Sequence, residues 1–171
     1  MENTDLIFYE PFSSLGVKRM TMKLVPIAQD GSPAEVIEDL SVEANAVLKS
    51  VEELYKKFGY SLPWVGYLAV EDGHCVGTCA FKAAPENNRV EIAYFTFPRY
   101  EGRGIATRLA KLLVEIARRT SSSVTITAQT LAEENASTAV LRKVGFEYFS
   151  TIEHPEDGQV WEWHFHGPHR T

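Results

Sequence analysis

The spacing of apolar residues switches between period two and period 3.6 along this chain, and the switches predict its elements. Residues 20–27 alternate enough for a first strand. Val36, Ile37, Leu40, Val47, Leu48, Val51, Leu54, Tyr55 and Phe58 then recur at helical spacing. Ser32 is the candidate N-cap, Pro33 the first helical residue and Gly59 the stop. A break near Leu40 and Ser41 would divide this run into two helices. Residues 64–70 read as a strand, Glu71-Asp72-Gly73-His74 as a hairpin turn and residues 75–82 as its partner. After a turn at Pro85-Glu86-Asn87-Asn88, residues 90–97 form a further strand.

A helix over residues 105–119 turns Leu109, Leu112, Leu113, Ile116 and Ala117 inward. Residues 124–129 alternate as a strand, and a helix over residues 136–144 stops at Gly145. Residues 148–153 and 160–165 close the chain as a hairpin around Asp157-Gly158. In the last strand Trp161, Trp163 and Phe165 face one way, with Glu162, His164 and His166 opposite. Hairpins at both ends flank a strand–helix–strand crossover. That order predicts a mixed α+β sheet with a parallel pair at its centre.

A length of 171 residues predicts one domain, over residues 18–171, behind a patternless N-terminal extension of residues 1–17. The formal net charge of −6 argues against nucleic acid as the partner. No apolar run is long enough for a membrane span. The start, Met1-Glu2-Asn3-Thr4-Asp5, lacks the basic and apolar regions of a signal peptide, which points to the cytoplasm. Cys75 and Cys79 fit that compartment as free thiols, both on one strand face and buried as small hydrophobes. The histidines His154, His164, His166 and His169 lack metal-ligand spacing, so no metal is expected.

The chemistry lies between the strand at residues 90–97 and the helix that follows. Gly102 and Gly104 sit at the handover, where the absence of a Cβ lets the backbone approach a ligand. The helix beyond offers unpaired N–H groups and the positive end of its dipole, an anion site suited to phosphate. A Walker A loop fails, since Ile105 and Ala106 follow Gly104. A dinucleotide fingerprint has only two of its three glycines and no acidic residue about 20 positions on. An ordinary tight turn and a coenzyme A diphosphate loop remain.

Here a resemblance becomes specific. Pro98-Arg99-Tyr100-Glu101-Gly102-Arg103-Gly104-Ile105-Ala106-Thr107 resembles the coenzyme A motif of the GNAT N-acetyltransferases. Arg142-Lys143-Val144-Gly145-Phe146 resembles the end of that family's next motif. Glu91-Ile92-Ala93-Tyr94 is similar to the Glu-Ile-Gly-Tyr strand of the branch that holds the ribosomal-protein N-terminal acetyltransferases. The resemblance covers about residues 20–165. It implies a GNAT-type, mostly antiparallel twisted sheet of about six to seven strands, a central parallel pair and about four helices.

It further implies that acetyl-CoA is the co-substrate, its diphosphate held by Gly102, Arg103, Gly104, Ile105, Ala106 and Thr107. The backbone of Tyr94, Phe95 and Thr96 would lay out the pantetheine arm, and Asn135 would add a contact. The acceptor would be a small-molecule amine or a peptide N-terminus, and family habit points to a homodimer. An amine titrates near ~10 and arrives charged. Glu91 is the candidate general base, against a merely structural pairing with Arg89 or a neighbouring strand's cation. Ser137, a helix-start hydroxyl, or water would protonate the thiolate.

Three positions depart from the family pattern. Glu101 stands where Gln or Arg is usual, Asn135 is one step late with Glu134 in its place, and Leu141 replaces a proton-donating tyrosine. These keep open a non-catalytic acyl-CoA-binding module of the same fold.

Overall fold

The alternating segments become seven strands: β1 (Met22–Pro26), β2 (Gly66–Glu71), β3 (His74–Phe81), β4 (Arg89–Thr96), β5 (Thr125–Leu131), β6 (Phe146–His154) and β7 (Gly158–Phe165). Three α-helices stand among the described residues: α1 (Val42–Phe58), α2 (Ile105–Thr120) and α3 (Ala136–Val144). This computed structural model describes residues 21–167; the expected extension at residues 1–17 and His169 lie outside them.

The strands form one sheet in the order β1-β2-β3-β4-β5-β7-β6. Every neighbouring pair is antiparallel except β4 and β5. A parallel pair needs a crossover, and α2 supplies it. The β2–β3 turn uses Asp72 and Gly73 at φ 50° and 79°, the left-handed values a two-residue hairpin turn demands.

Helices cover both faces. On one, α2 packs with Leu109 Cδ1 3.5 Å from where a Gly77 Cβ would stand, and that Cβ would lie only 2.5 Å from the Phe95 carbonyl oxygen of β4. The buried stripe of α2 is Ile105, Leu109, Ala110, Leu113, Val114 and Ala117. It is rotated from the expected one, with Leu112 and Ile116 only half buried. α3 shares this face, where Arg142 lies 5.0 Å over the Trp163 ring and Arg118 of α2 5.8 Å over Phe165. Trp163 is buried and its indole N–H donates to Thr130 Oγ1 at 3.0 Å. α1 packs on the opposite face, where a Cβ at Gly66 would stand 3.0 Å from Val51 Cγ1.

The helical run expected from Ser32 is shorter than its periodicity implied, which leaves three helices instead of about four. Asp30 takes both the N–H and the hydroxyl of Ser32, at 2.9 and 2.6 Å, so Ser32 caps nothing. Pro33 bridges back to Ile27, and Val36 is 94% exposed. The helix starts instead at Ser41, whose Oγ accepts from the Ala44 N–H at 3.2 Å. Residues 33–40 have helical spacing, but only Ile37 and Leu40 pack, half-buried, against the core, too little apolar surface to hold a helix in so short a segment.

Cys75 and Cys79 are buried on β3, as expected. Burial pushes the Cys75 thiol up to about 11 and the Cys79 thiol further. With so little thiolate at pH 8, neither should react with Ellman's reagent in the native protein, and both should react in guanidinium. Rapid titration of either thiol under native conditions would contradict this packing.

Candidate functional site

β4 and β5 stay hydrogen-bonded from the Arg89–Thr125 pair to the Ile92–Ala128 pair and no further. Beyond that step β4 follows β3 as far as Gly77–Thr96, and β5 follows β7 as far as Leu131–Val160. A wedge therefore opens between residues 93–96 and 129–131. The Glu91 carbonyl accepts from the Lys82 N–H at 3.0 Å, and the Phe97 N–H donates to Val76 at 3.0 Å. Odd-numbered residues of β4 thus turn their main chain towards β3. By alternation, Tyr94 and Thr96 turn theirs into the wedge, an unpaired strand edge on which an extended ligand can pair. Phe95, grouped with them at the sequence level, keeps its main chain on the β3 side and exposes 49% of its surface on the face away from α2.

The wedge leads to the glycine turn. A 3₁₀ turn, Pro98–Tyr100, ends β4. The Arg99 and Arg103 guanidinium groups lie 5.8 and 5.4 Å from the Tyr100 ring centre. Glu101 is exposed and forms no ion pair among the described residues. Gly102 and Gly104 adopt φ 74° and 69°. No atom lies within 4 Å of a Cβ built on either, so backbone conformation, not crowding, requires glycine there.

Gly104 caps α2 without any side-chain hydrogen bond. The amides of Ile105, Ala106 and Thr107 lack intrahelical partners, as every first turn does, and point along the helix dipole. One turn on, Arg108 clasps the buried Glu71 carboxylate at the end of β2, with Nη2 3.4 Å from Oε2, and fastens this end of the helix to the sheet.

The start of α3 borders the same face. Asn135 is its N-cap: Oδ1 accepts from the Thr138 N–H at 3.1 Å, and Thr138 Oγ1 accepts from the Asn135 N–H at 3.0 Å. Glu134 grips Arg142 with both oxygens at 2.6 Å, which holds its carboxyl below the usual range. The Ser137 hydroxyl has no hydrogen-bond partner among the described residues. The Ser137 carbonyl accepts from Tyr94 Oη at 3.3 Å, and burial pushes that phenol upward. Leu141, where a tyrosine was expected, is 0% exposed. Sequence offered Tyr94 for its backbone alone; its hydroxyl reaches the first turn of α3, one turn before Leu141, a contact between residues 43 positions apart.

On the opposite face Glu91 is ion-paired with Lys82, the residue just past the end of β3 and opposite it across the strands. This is the neighbouring-strand pairing left open as the structural reading. Among the described residues no three His, Cys, Asp or Glu side chains group to hold a metal, and no helix is long and apolar enough to cross a membrane.

Comparison with known proteins agrees with this geometry. Residues 22–147 match the family model described as "Acetyltransferase (GNAT) domain". Over 108 residues the chain is 31% identical to the N-acetylaspartate synthetases of Rattus norvegicus and Homo sapiens. That alignment covers 63% of this chain but 35% and 34% of theirs, so the chain spans about a third of their length. RimL, a ribosomal L7/L12 alpha-N-protein acetyltransferase solved with coenzyme A, superposes with a TM-score of 0.61 at 17% identity over 87% of this chain and 94% of its own. A spermidine N-acetyltransferase SpeG chimera from Vibrio cholerae and hSSAT gives 0.59 at 13% identity over 84% and 94%. At these identities the two structures speak to the fold.

Asn135→Ala separates capping from ligand binding. Loss of the cap should cost about 1 kcal/mol, a fall in Tm of about 2–4 °C for a chain of this size. Acetyl-CoA affinity, measured by calorimetry, should stay within about twofold, because Asn135 Oδ1 and its backbone N–H are already committed to α3. A large loss of affinity at unchanged Tm would restore the ligand role.

Proposed function

This chain belongs to the GNAT acetyltransferase family, and from that premise we propose that it moves an acetyl group from acetyl-CoA to a primary or N-terminal amine by direct attack. The observation that carries this reading is the wedge between β4 and β5 leading to the uncapped start of α2. An extended arm fits the strand edge and a diphosphate fits the helix start, in continuous succession.

In this proposal the amides around Gly102, Arg103, Gly104, Ile105, Ala106 and Thr107 hold the diphosphate, with both glycines supplying the required positive φ. The Tyr94 and Thr96 main chains pair with the pantetheine arm. Phe95 contributes its exposed ring on the acceptor side. Fixing both arms turns a bimolecular attack into a near-intramolecular one, which is worth several kcal/mol of barrier. Ser137, with its hydroxyl unpartnered, or water protonates the departing thiolate. Glu91 accepts a proton from the amine through the oxygen that Lys82 leaves free. The two unpaired buried thiols fit a reducing compartment, so the cytoplasm is the proposed location. The catalytic unit is taken as residues 18–171. The synthetase relatives and the RimL and SpeG structures support an amine acceptor of small-molecule or peptide N-terminal type.

Thiol release from acetyl-CoA across a panel of amino acids, polyamines and peptide N-termini tests the reading; turnover with at least one is expected. Gly104→Ala forces a Cβ into the left-handed region at about 1–2 kcal/mol and should weaken acetyl-CoA about tenfold. Glu91→Gln should lower kcat/KM about tenfold with acetyl-CoA affinity nearly intact. Tight acetyl-CoA binding without any turnover would favour the non-catalytic module, to which the buried Leu141 lends some support. Absence of acetyl-CoA binding at millimolar concentration would end the proposal.

A further inference from the structure

The sheet face away from α2 and α3 carries a polar row beside the point where β4 and β5 part. Register aligns Glu91 of β4, Thr127 of β5 and His164 of β7 on that face. The row adjoins the Ile92–Ala128 step, the last before the wedge. With strands about 4.8 Å apart, His164 stands roughly 7 Å from the line of parting, a span bridged to an amine there through water.

Its surroundings orient it. Glu162 is 6% exposed, and a carboxylate so enclosed needs partners. Its Oε1 receives Arg89 Nη2 at 2.9 Å and His164 Nε2 at 2.8 Å. An ionised carboxylate only accepts hydrogen bonds, so Nε2 carries the hydrogen and a neutral imidazole has Nδ1 as a bare acceptor. Nδ1 makes no hydrogen bond among the described residues. The Phe149 ring stacks on the imidazole at 3.9 Å and 9°, fixing its plane. Glu147 of β6 is the remaining charged neighbour in register with His164, and Glu91 in the same row is tied to Lys82. One nitrogen held by a buried carboxylate and the other left free is the arrangement that makes an imidazole a directed base.

We infer that His164, oriented by Glu162 and Arg89, is the main proton acceptor for the incoming amine, taking over the acceptor role from Glu91, whose charge then draws the ammonium in; this rests on the transferase reading. The ammonium gives one proton to Nδ1. Its freed lone pair forms the N–C bond as the C–S bond breaks. The second proton lost by nitrogen passes to the thiolate through Ser137 Oγ or water, and His164 returns its proton to solvent. Glu162 and Arg89 are positioning residues.

The full chain is assayed by thiol release with whichever amine it accepts. His164→Gln should lower kcat/KM at pH 7 by about a hundredfold, with acetyl-CoA affinity by calorimetry unchanged. The loss should shrink as pH rises and free amine becomes abundant. Glu162→Gln should move the acid limb of the pH profile, as a purely structural role would not. ¹⁵N spectra of the histidines in the parent chain need no catalytic variant to fold, with His164 assigned from His164→Asn; they should show a protonated Nε2 and bare Nδ1. A His164→Gln enzyme with kcat/KM within threefold of an active parent, or the opposite tautomer, overturns the inference and leaves the transferase reading standing. A parent that binds acetyl-CoA yet acetylates no amine removes both.

Discussion

One hydrogen-bonded step, Ile92 beside Ala128, divides this sheet into two halves that no longer share a ladder. β4 is committed to β3 and β5 to β7, and the right-handed twist of strands carries the halves apart. Main-chain groups buried without partners are costly, so an edge left open inside a sheet must meet water or a ligand. On their outer edges β4 stays in register with β3 and β5 with β7, so each half of the parting is held by its own ladder.

Everything that borders the wedge is held by rigid elements. Gly77 lets the β4 backbone come closer to β3 than a Cβ would permit, and the buried Glu71, paired with the half-buried Arg108, fixes the start of α2. Removing Arg108 would strand the buried Glu71 charge, so the pair constrains geometry more than a fully exposed one can. α3 is held by its Asn135–Thr138 capping box and by the Glu134–Arg142 clasp, and Tyr94 ties its first turn to β4. The helix that offers amides and the helix that offers a hydroxyl are thus pinned to the strand that would carry the ligand arm.

The two faces of the sheet divide the chemistry. The α2–α3 face is apolar and closed by Leu109, Leu113, Leu141 and Trp163. The opposite face near the parting is polar and charge-balanced: Lys82 meets Glu91, and Arg89 meets Glu162.

Much of this was legible along the chain. Period-two segments, turn residues such as Asp72-Gly73 and the stop at Gly145 located nearly every strand and two of the helices, because those signals act through neighbours in sequence. The glycine pair at 102 and 104 was equally local: a positive φ is a demand each residue makes on its own backbone. What lay beyond reach depended on contacts across the sheet. Periodicity could not tell that only Ile37 and Leu40 of residues 33–40 would touch the core while Val36 stays in solvent, since amphipathic spacing is silent about its partner. It could not tell that Asn135 would be spent on its own helix, that the main chain of Phe95 would face β3, or that Lys82 would claim Glu91. Nor could it bring Arg89, Glu162 and His164 together, because residues 73 and 75 positions apart become neighbours only when strand order and register are set by the packing of the whole sheet.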